Sequence, residues 1–131
     1  MTHGTFLLAD ISGHSRYLNE AGLRHASNVT ALLLNVLIDA GRGRWKVANL
    51  EGDAVFFVTT GHESTAEVLD QIAEMLRRFI GRVTEIGQDT DCGCGACAGS
   101  NRLALKFVLH RGEYEQRRIG GRREIIAGTW W

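Results

Sequence analysis

A chain of 131 residues is long enough for one domain with a substantial hydrophobic core. Its 15 basic and 15 acidic side chains cancel, so overall charge gives no reason to expect a nucleic-acid or anionic membrane partner. No apolar run is long enough to cross a bilayer, and the N-terminus lacks the pattern of a secretory signal. We therefore expect a single cytoplasmic domain spanning residues 1–131.

The chain begins with an apolar strand at residues 4–10, whose two faces we expect to be covered. A short helix is predicted for Ser12–Asn19, and a longer one for Leu23–Ala40, which Gly41 and Gly43 end. One stripe of the longer helix is apolar and should face the core: Val29, Leu33, Val36 and Leu37.

Two further strands are predicted at Arg44–Leu50 and Ala54–Thr60, and the turn Glu51-Gly52-Asp53 joins them as a hairpin. Glu63–Ile86 has the clearest helical periodicity of the sequence. Its predicted apolar face consists of Leu69, Ile72, Ala73, Leu76, Phe79, Ile80 and Val83.

Beyond a loop rich in Gly and Cys, Leu103–Leu109 and Glu113–Ile119 alternate like two strands, and the pattern predicts a hairpin closed at Arg111-Gly112. Glu124–Trp131 begins like another element and then stops, so we expect a final helix or strand to be missing at the C-terminus. Five arginines should form a solvated hairpin edge, although they are also candidates for triphosphate contact: Arg111, Arg117, Arg118, Arg122 and Arg123.

The three cysteines form one cluster, Cys92-x-Cys94-x-x-Cys97. An odd number of cysteines in one short loop is not typical of a secreted disulfide framework. With a fourth ligand, the three thiolates would hold Zn²⁺. The alternative is a reduced, redox-sensitive loop that contains no metal.

Two aspartates are candidate metal ligands. Asp10 ends the first strand, and Ser12 and Gly13 suit a turn into a helix whose N-terminus favours an anion. Asp53 lies in the turn of the first hairpin. If the two carboxylates converge, they suit Mg²⁺ or Mn²⁺ bound to a triphosphate. The alternative is that Asp10 caps a helix and Asp53 is simply a turn residue.

Three segments resemble the class III adenylate and guanylate cyclases. Phe6–Ser15 resembles their opening motif, a strand that ends in Phe-x-Asp-Ile before a small residue, Gly, an aromatic residue and Ser or Thr. Leu50–Phe57 resembles their Gly-Asp hairpin, and Leu105–Glu113 looks like their strand that ends in His-x-Gly-Glu. The resemblance covers residues 5–126. Because of its cysteine loop, the chain looks like a bacterial branch of cyclase-homology proteins whose function is unknown.

The resemblance implies an α+β, ferredoxin-like fold, an antiparallel sheet with helices packed on it. It also implies a homodimer, because those enzymes build their sites between two chains. Asp10 and Asp53, with the backbone carbonyl of Ile11, match the ligands of Mg²⁺ or Mn²⁺. Asn49 stands where those enzymes select the purine of a nucleoside triphosphate. The turn that cradles the phosphates corresponds to Ser12, Gly13, His14 and Ser15, with His14 where an aromatic residue is usual.

The sequence departs from the cyclases in Gly120–Thr129, where their transition-state Asn and Arg are absent. Cationic stabilisation of a transferring phosphoryl group is a large rate term, so the sequence assigns no catalytic residue. Three functions stay open. The first is a cyclase-like domain that binds metal and nucleotide, and the second is a catalytically silent regulatory module of the same fold, with or without zinc at the cysteines. The third is a zinc-dependent redox sensor centred on the cysteine loop. If cyclisation occurs, the metals activate the ribose 3′-hydroxyl and neutralise the leaving pyrophosphate.

Overall fold

The computed structural model describes residues 2–13, 23–59, 63–87 and 103–127. In chain order, its elements are β1 Thr2–Ser12, α1 Leu23–Gly41, β2 Lys46–Glu51, β3 Ala54–Thr59, α2 Thr65–Gly87, β4 Ala104–Ile119 and β5 Arg122–Ala127. The predicted first strand, first hairpin and two long helices are confirmed. The short helix predicted for Ser12–Asn19 falls mostly outside the described residues. In the described part of the chain, no helix has the length and apolarity needed to cross a membrane.

The strands form one sheet in the order β2-β3-β1-β4-β5, and every pairing is antiparallel. β1 is central because it pairs with β3 on one side and with β4 on the other, so that Leu7 lies between Phe57 and Leu109. The first four strands and two helices follow one another as βαββαβ, which is the ferredoxin-like arrangement expected above.

Alternation along β1 divides its side chains between the two faces of the sheet. Leu7, Ala9 and Ile11 are at most 1% exposed and join the larger core cluster beneath both helices. In α1 the expected stripe is buried at Val29, Leu33 and Leu37. The same cluster includes Val55, Phe57, Val68, Met75, Phe79, Val83 and Ile86.

The sheet face turned away from the helices, called the far face here, carries Phe6, Leu8 and Asp10 on β1. A smaller buried cluster forms on it, in which the Phe6 ring meets the Tyr114 ring edge-on at a centroid distance of 5.3 Å. Ile125 of β5 packs against this cluster. The hairpin of β4 and β5 therefore lies over the far face rather than extending the sheet into solvent.

The predicted hairpin at Arg111-Gly112 is wrong, because β4 runs through it without interruption. Gly112 pairs with Gly4, and its backbone stays extended to keep the long ladder with β1. The chain reverses instead at Gly120 and Gly121, whose φ angles of 59° and 79° favour glycine. Gly112 is thus part of a continuous strand, although a glycine at this position looks like a turn signal in the sequence.

The Gly4→Ala substitution is expected to lower the free energy of unfolding by about 1–3 kcal/mol, measured by urea denaturation. A β-carbon at Gly4 would lie 2.6 Å from Cε1 of Tyr114 and 3.1 Å from the carbonyl oxygen of Thr59. Gly81→Ala is the matched control, because no atom lies within 4 Å of a β-carbon there. That variant should gain about 0.5–1 kcal/mol, since alanine favours a helix. Equal stability of the two variants would contradict the close packing at Gly4.

The apolar face predicted for α2 is only partly correct. Phe79 and Val83 are buried as expected, but Leu69 and Ile80 are each 55% exposed and Leu76 is 37% exposed. The residues that complete the buried stripe are Val68, Met75 and Ile86. Apolar side chains cover a wider arc of α2 than the sheet and α1 bury, so a second apolar stripe faces outward.

Candidate functional site

Asp10 and Asp53 lie on neighbouring strands at the same end of the sheet. The N–H of Ile11 donates a hydrogen bond to the carbonyl oxygen of Asp53, with a nitrogen–oxygen distance of 3.0 Å. Asp10 pairs with Ala54, the residue that follows Asp53. Both aspartates are half-buried. The structure therefore places the two aspartates that the sequence nominated as partners at neighbouring positions of the backbone.

Local sequence explains why these two residues meet. Gly52 has a φ of 54°, which allows the two-residue turn between β2 and β3 and leaves Asp53 next to the end of β1. The Ile11 side chain is 1% exposed in the core, so alternation places Asp10 on the far face. Lys106 of β4 lies opposite Asp10 and sets an exposed ammonium group on the other side of it.

The turn that should cradle phosphates is described only in its first half. Ser12 ends β1 and is exposed, and Gly13 follows it with a φ of 83°, so the chain turns sharply there. His14 and Ser15 lie outside the described residues. The cysteine cluster Cys92, Cys94 and Cys97 also lies outside them, so its metal binding stays a prediction.

The donor set at this edge fits a metal that is shared with a substrate. Within the described ranges, no group of three or more His, Cys, Asp or Glu side chains is placed to hold a metal ion. Mg²⁺ usually takes one or two carboxylates and completes its shell with water and substrate phosphates. Asp10, Asp53 and the carbonyl of Ile11 supply hard oxygen donors of that kind, whereas a metal cage made only of protein groups does not fit.

A cleft of about 510 Å³ lies on the far face beside this edge. Its floor is apolar and consists of Leu8, Ala48, Ala54, Phe56 and Ile125. Its polar lining is supplied by Asn49, Glu51, Arg122, Arg123 and Glu124. An apolar floor with a few polar groups at the rim is the usual composition of a small-molecule site.

Asn49 lines the cleft and follows an irregularity of the β2–β3 ladder between Val47 and Asn49. Its side-chain nitrogen donates to Oε1 of Glu51 at 3.2 Å, and its side-chain oxygen accepts from the N–H of Leu50 at 2.9 Å. These two hydrogen bonds orient the amide at the rim of the cleft.

The sequence identified the cations of this site only in part. It predicted a solvated edge for Arg122 and Arg123, with triphosphate contact as the alternative, and both line the cleft because β5 lies over the far face. Lys106 was read only as part of an alternating strand, and its position beside Asp10 depends on the register of β1 with β4. The one local signal for the position of Arg122 and Arg123 was the glycine pair directly before them, at the tip of the β4–β5 hairpin.

A family described as a protein of unknown function (DUF2652) matches residues 30–129. The chain belongs to this family. A curated relative is the uncharacterized protein Rv2561/Rv2562 of Mycobacterium tuberculosis, which is 39% identical over 97 residues. That alignment covers 74% of this chain and 45% of the relative, so the chain spans less than half of the relative's length.

Solved structures identify the fold. A bacterial light-regulated adenylyl cyclase superposes with a TM-score of 0.65 at 11% identity, over 96% of this chain and 62% of that chain. The guanylate cyclase domain of RhGC from Catenaria anguillulae, solved in complex with GTP, gives a TM-score of 0.61 at 12% identity, over 98% and 66%. The DUF2652 chain therefore has the fold of class III nucleotide cyclase domains, as the sequence resemblance implied.

Proposed function

We propose that this domain binds a nucleoside triphosphate together with Mg²⁺ or Mn²⁺. The observation that carries the proposal is the adjacency of Asp10 and Asp53, linked through the 3.0 Å hydrogen bond from Ile11 to the Asp53 carbonyl. The two carboxylates hold the metal, and the metal bridges the phosphates that rest on the turn beginning at Ser12 and Gly13. The fold shared with a guanylate cyclase domain solved in complex with GTP supports this assignment.

The cleft supplies the remaining contacts of the nucleotide. Its apolar floor, which includes Phe56, accepts the flat face of a purine, and the Asn49 amide donates to or accepts from the base edge. Asparagine offers both a donor and an acceptor, so it does not select between adenine and guanine. Lys106, Arg122 and Arg123 are exposed cations beside the aspartates and the cleft, where they offset the charge of the triphosphate.

The domain acts as a binder more than as a catalyst. The sequence supplies no equivalent of the Asn and Arg that stabilise the cyclase transition state, and that loss removes a large rate term. Any turnover would make the chain a phosphorus–oxygen lyase that forms a cyclic nucleotide. We further propose a homodimer across the far face, since the resembled enzymes assemble their sites from two chains, and a cytoplasmic location, where nucleoside triphosphates are abundant.

The second candidate is a catalytically silent regulatory module, favoured by the same missing Asn and Arg. In this function, Cys92, Cys94 and Cys97 bind zinc and stabilise the loop before β4. Metal analysis of protein purified without added zinc tests the cluster. About one zinc per chain is the result that this candidate predicts, and a content near zero removes the site.

Calorimetric titration of the wild-type chain with ATP and GTP tests the primary proposal. In the presence of Mn²⁺ we expect saturable binding of at least one nucleotide, and we expect EDTA to abolish it because the metal links the carboxylates to the phosphates. Chromatography of the same samples detects cyclic product. Binding without product identifies a receptor, and absence of binding in both titrations sinks the nucleotide proposal.

A further inference from the structure

The outward stripe of α2 has the spacing of a coiled-coil seam. Its exposed members Leu69, Ala73, Leu76 and Ile80 follow one another at intervals of 4, 3 and 4 residues, the alternation of a and d positions in a heptad. Ala66, which is also exposed, continues the same pattern at the N-terminal end. These five residues, called the α2 seam here, run from Ala66 to Ile80.

We propose that the α2 seam pairs antiparallel with the α2 seam of a second copy of this chain about a two-fold axis. In that arrangement Leu69 packs opposite the partner's Ile80, and Ala73 packs opposite the partner's Leu76. The layers of Ala73 and Leu76 combine complementary sizes, because the small Ala73 leaves room for a leucine. A two-fold axis repeats each contact, as required for a closed dimer.

The charged residues beside the α2 seam favour a second copy of this chain as its binding partner. Asp70 and Arg77 both lie along one side of the seam and are both exposed. The antiparallel pairing brings Asp70 to within two helical positions of the partner's Arg77, an offset of about 3 Å along the axis, so one two-fold axis creates two ion pairs. A parallel pair would set each residue level with its own copy and would lose both ion pairs.

The partner contact does not leave Glu74 without a cation. Arg77 pairs within the chain with Glu74, but Nε of Arg78 also donates to Oε1 of Glu74 at 2.8 Å. The hydrogen bond from Arg78 is the main cause of the lowered pKa of Glu74, with a further contribution from Arg77. Arg77 is therefore able to turn toward the partner's Asp70 while Glu74 keeps Arg78.

The seam is independent of the nucleotide site. It lies on the helix side of the sheet, whereas Asp10 and the cleft lie on the far face. Association through α2 thus adds to any dimer formed across the far face, and either contact exists without the other. A failure of nucleotide binding leaves this proposal untouched.

Sedimentation equilibrium of the full chain, over a range of concentrations, tests the seam. The Leu69→Glu variant is expected to halve the associated mass, whatever happens at the far face, because it places a charge in the seam. Leu32→Glu is the matched control, since Leu32 is 44% exposed on α1 outside the seam, and its mass should equal that of the wild type. Circular dichroism verifies that both variants are folded.

An exchange of charges tests the antiparallel register. Asp70→Arg and Arg77→Asp should each weaken association about 10-fold, and the double variant should restore it, because the two ion pairs are re-formed with reversed sign. A wild-type chain that stays monomeric overturns the proposal. An unchanged mass for Leu69→Glu, or a double variant as weak as the single ones, also overturns it.

Discussion

Replacing Phe57 with alanine is expected to lower the free energy of unfolding by about 3–5 kcal/mol. Phe57 is fully buried in β3, where it pairs with Leu7 of β1 and Val47 of β2, and the Trp45 ring meets it edge-on at 6.3 Å. Truncation leaves a cavity between the sheet and the helices that the surrounding side chains fill only in part. Urea denaturation followed by circular dichroism measures the loss.

Phe56→Ala is the control for this prediction, because it removes the same atoms one residue away on the opposite face. Phe56 is half-buried, lies on the cleft floor, and packs its ring 5.8 Å from the Phe6 ring. We expect it to cost about half as much stability as Phe57→Ala, since less area leaves solvent on folding. It should also weaken nucleotide binding, which Phe57→Ala in its folded state should not. Equal losses of stability would contradict the division of β3 between two faces.

The secondary structure was largely readable from the sequence where local signals agree. The apolar run before Asp10 predicted a buried central strand, and Gly52 predicted the first hairpin, since both depend on nearest neighbours in the chain. The error at Arg111-Gly112 arose because a glycine in a strand and a glycine in a turn look alike locally. Only the pairing of Gly112 with Gly4, more than a hundred positions away, distinguishes them.

The candidate site could also be predicted only where local sequence signals define it. Asp10 and Asp53 were identified by their places at a strand end and a turn, and their adjacency follows from the pairing of β1 with β3. Arg122 and Arg123 were named only as alternative triphosphate contacts, because their position at the cleft depends on β5 lying over the far face. The alternation of residues along β4 and β5 does not indicate which face of the sheet their hairpin covers.

Asp10→Asn and Asp53→Asn are each expected to weaken Mn²⁺-dependent nucleotide binding on the order of 100-fold, measured by calorimetry. Removing a group outside the ligand shell of a metal already costs about 10–100-fold in affinity, and loss of a direct ligand should cost at least as much. Both positions are half-buried, and asparagine keeps the size of the side chain, so we expect the variants to remain folded.

Asp39→Asn provides the matched control, since Asp39 is an exposed carboxylate on α1 that pairs with Arg42 at 2.7 Å, away from the cleft. It should bind nucleotide like the wild type. The comparison also decides between a metal ligand and a turn residue at Asp53. Asparagine has nearly the same preference for turns as aspartate, so a purely structural Asp53 would tolerate the change in both stability and binding. Loss of binding at unchanged stability, in both aspartate variants and not in the control, is the pattern that only a shared metal site produces.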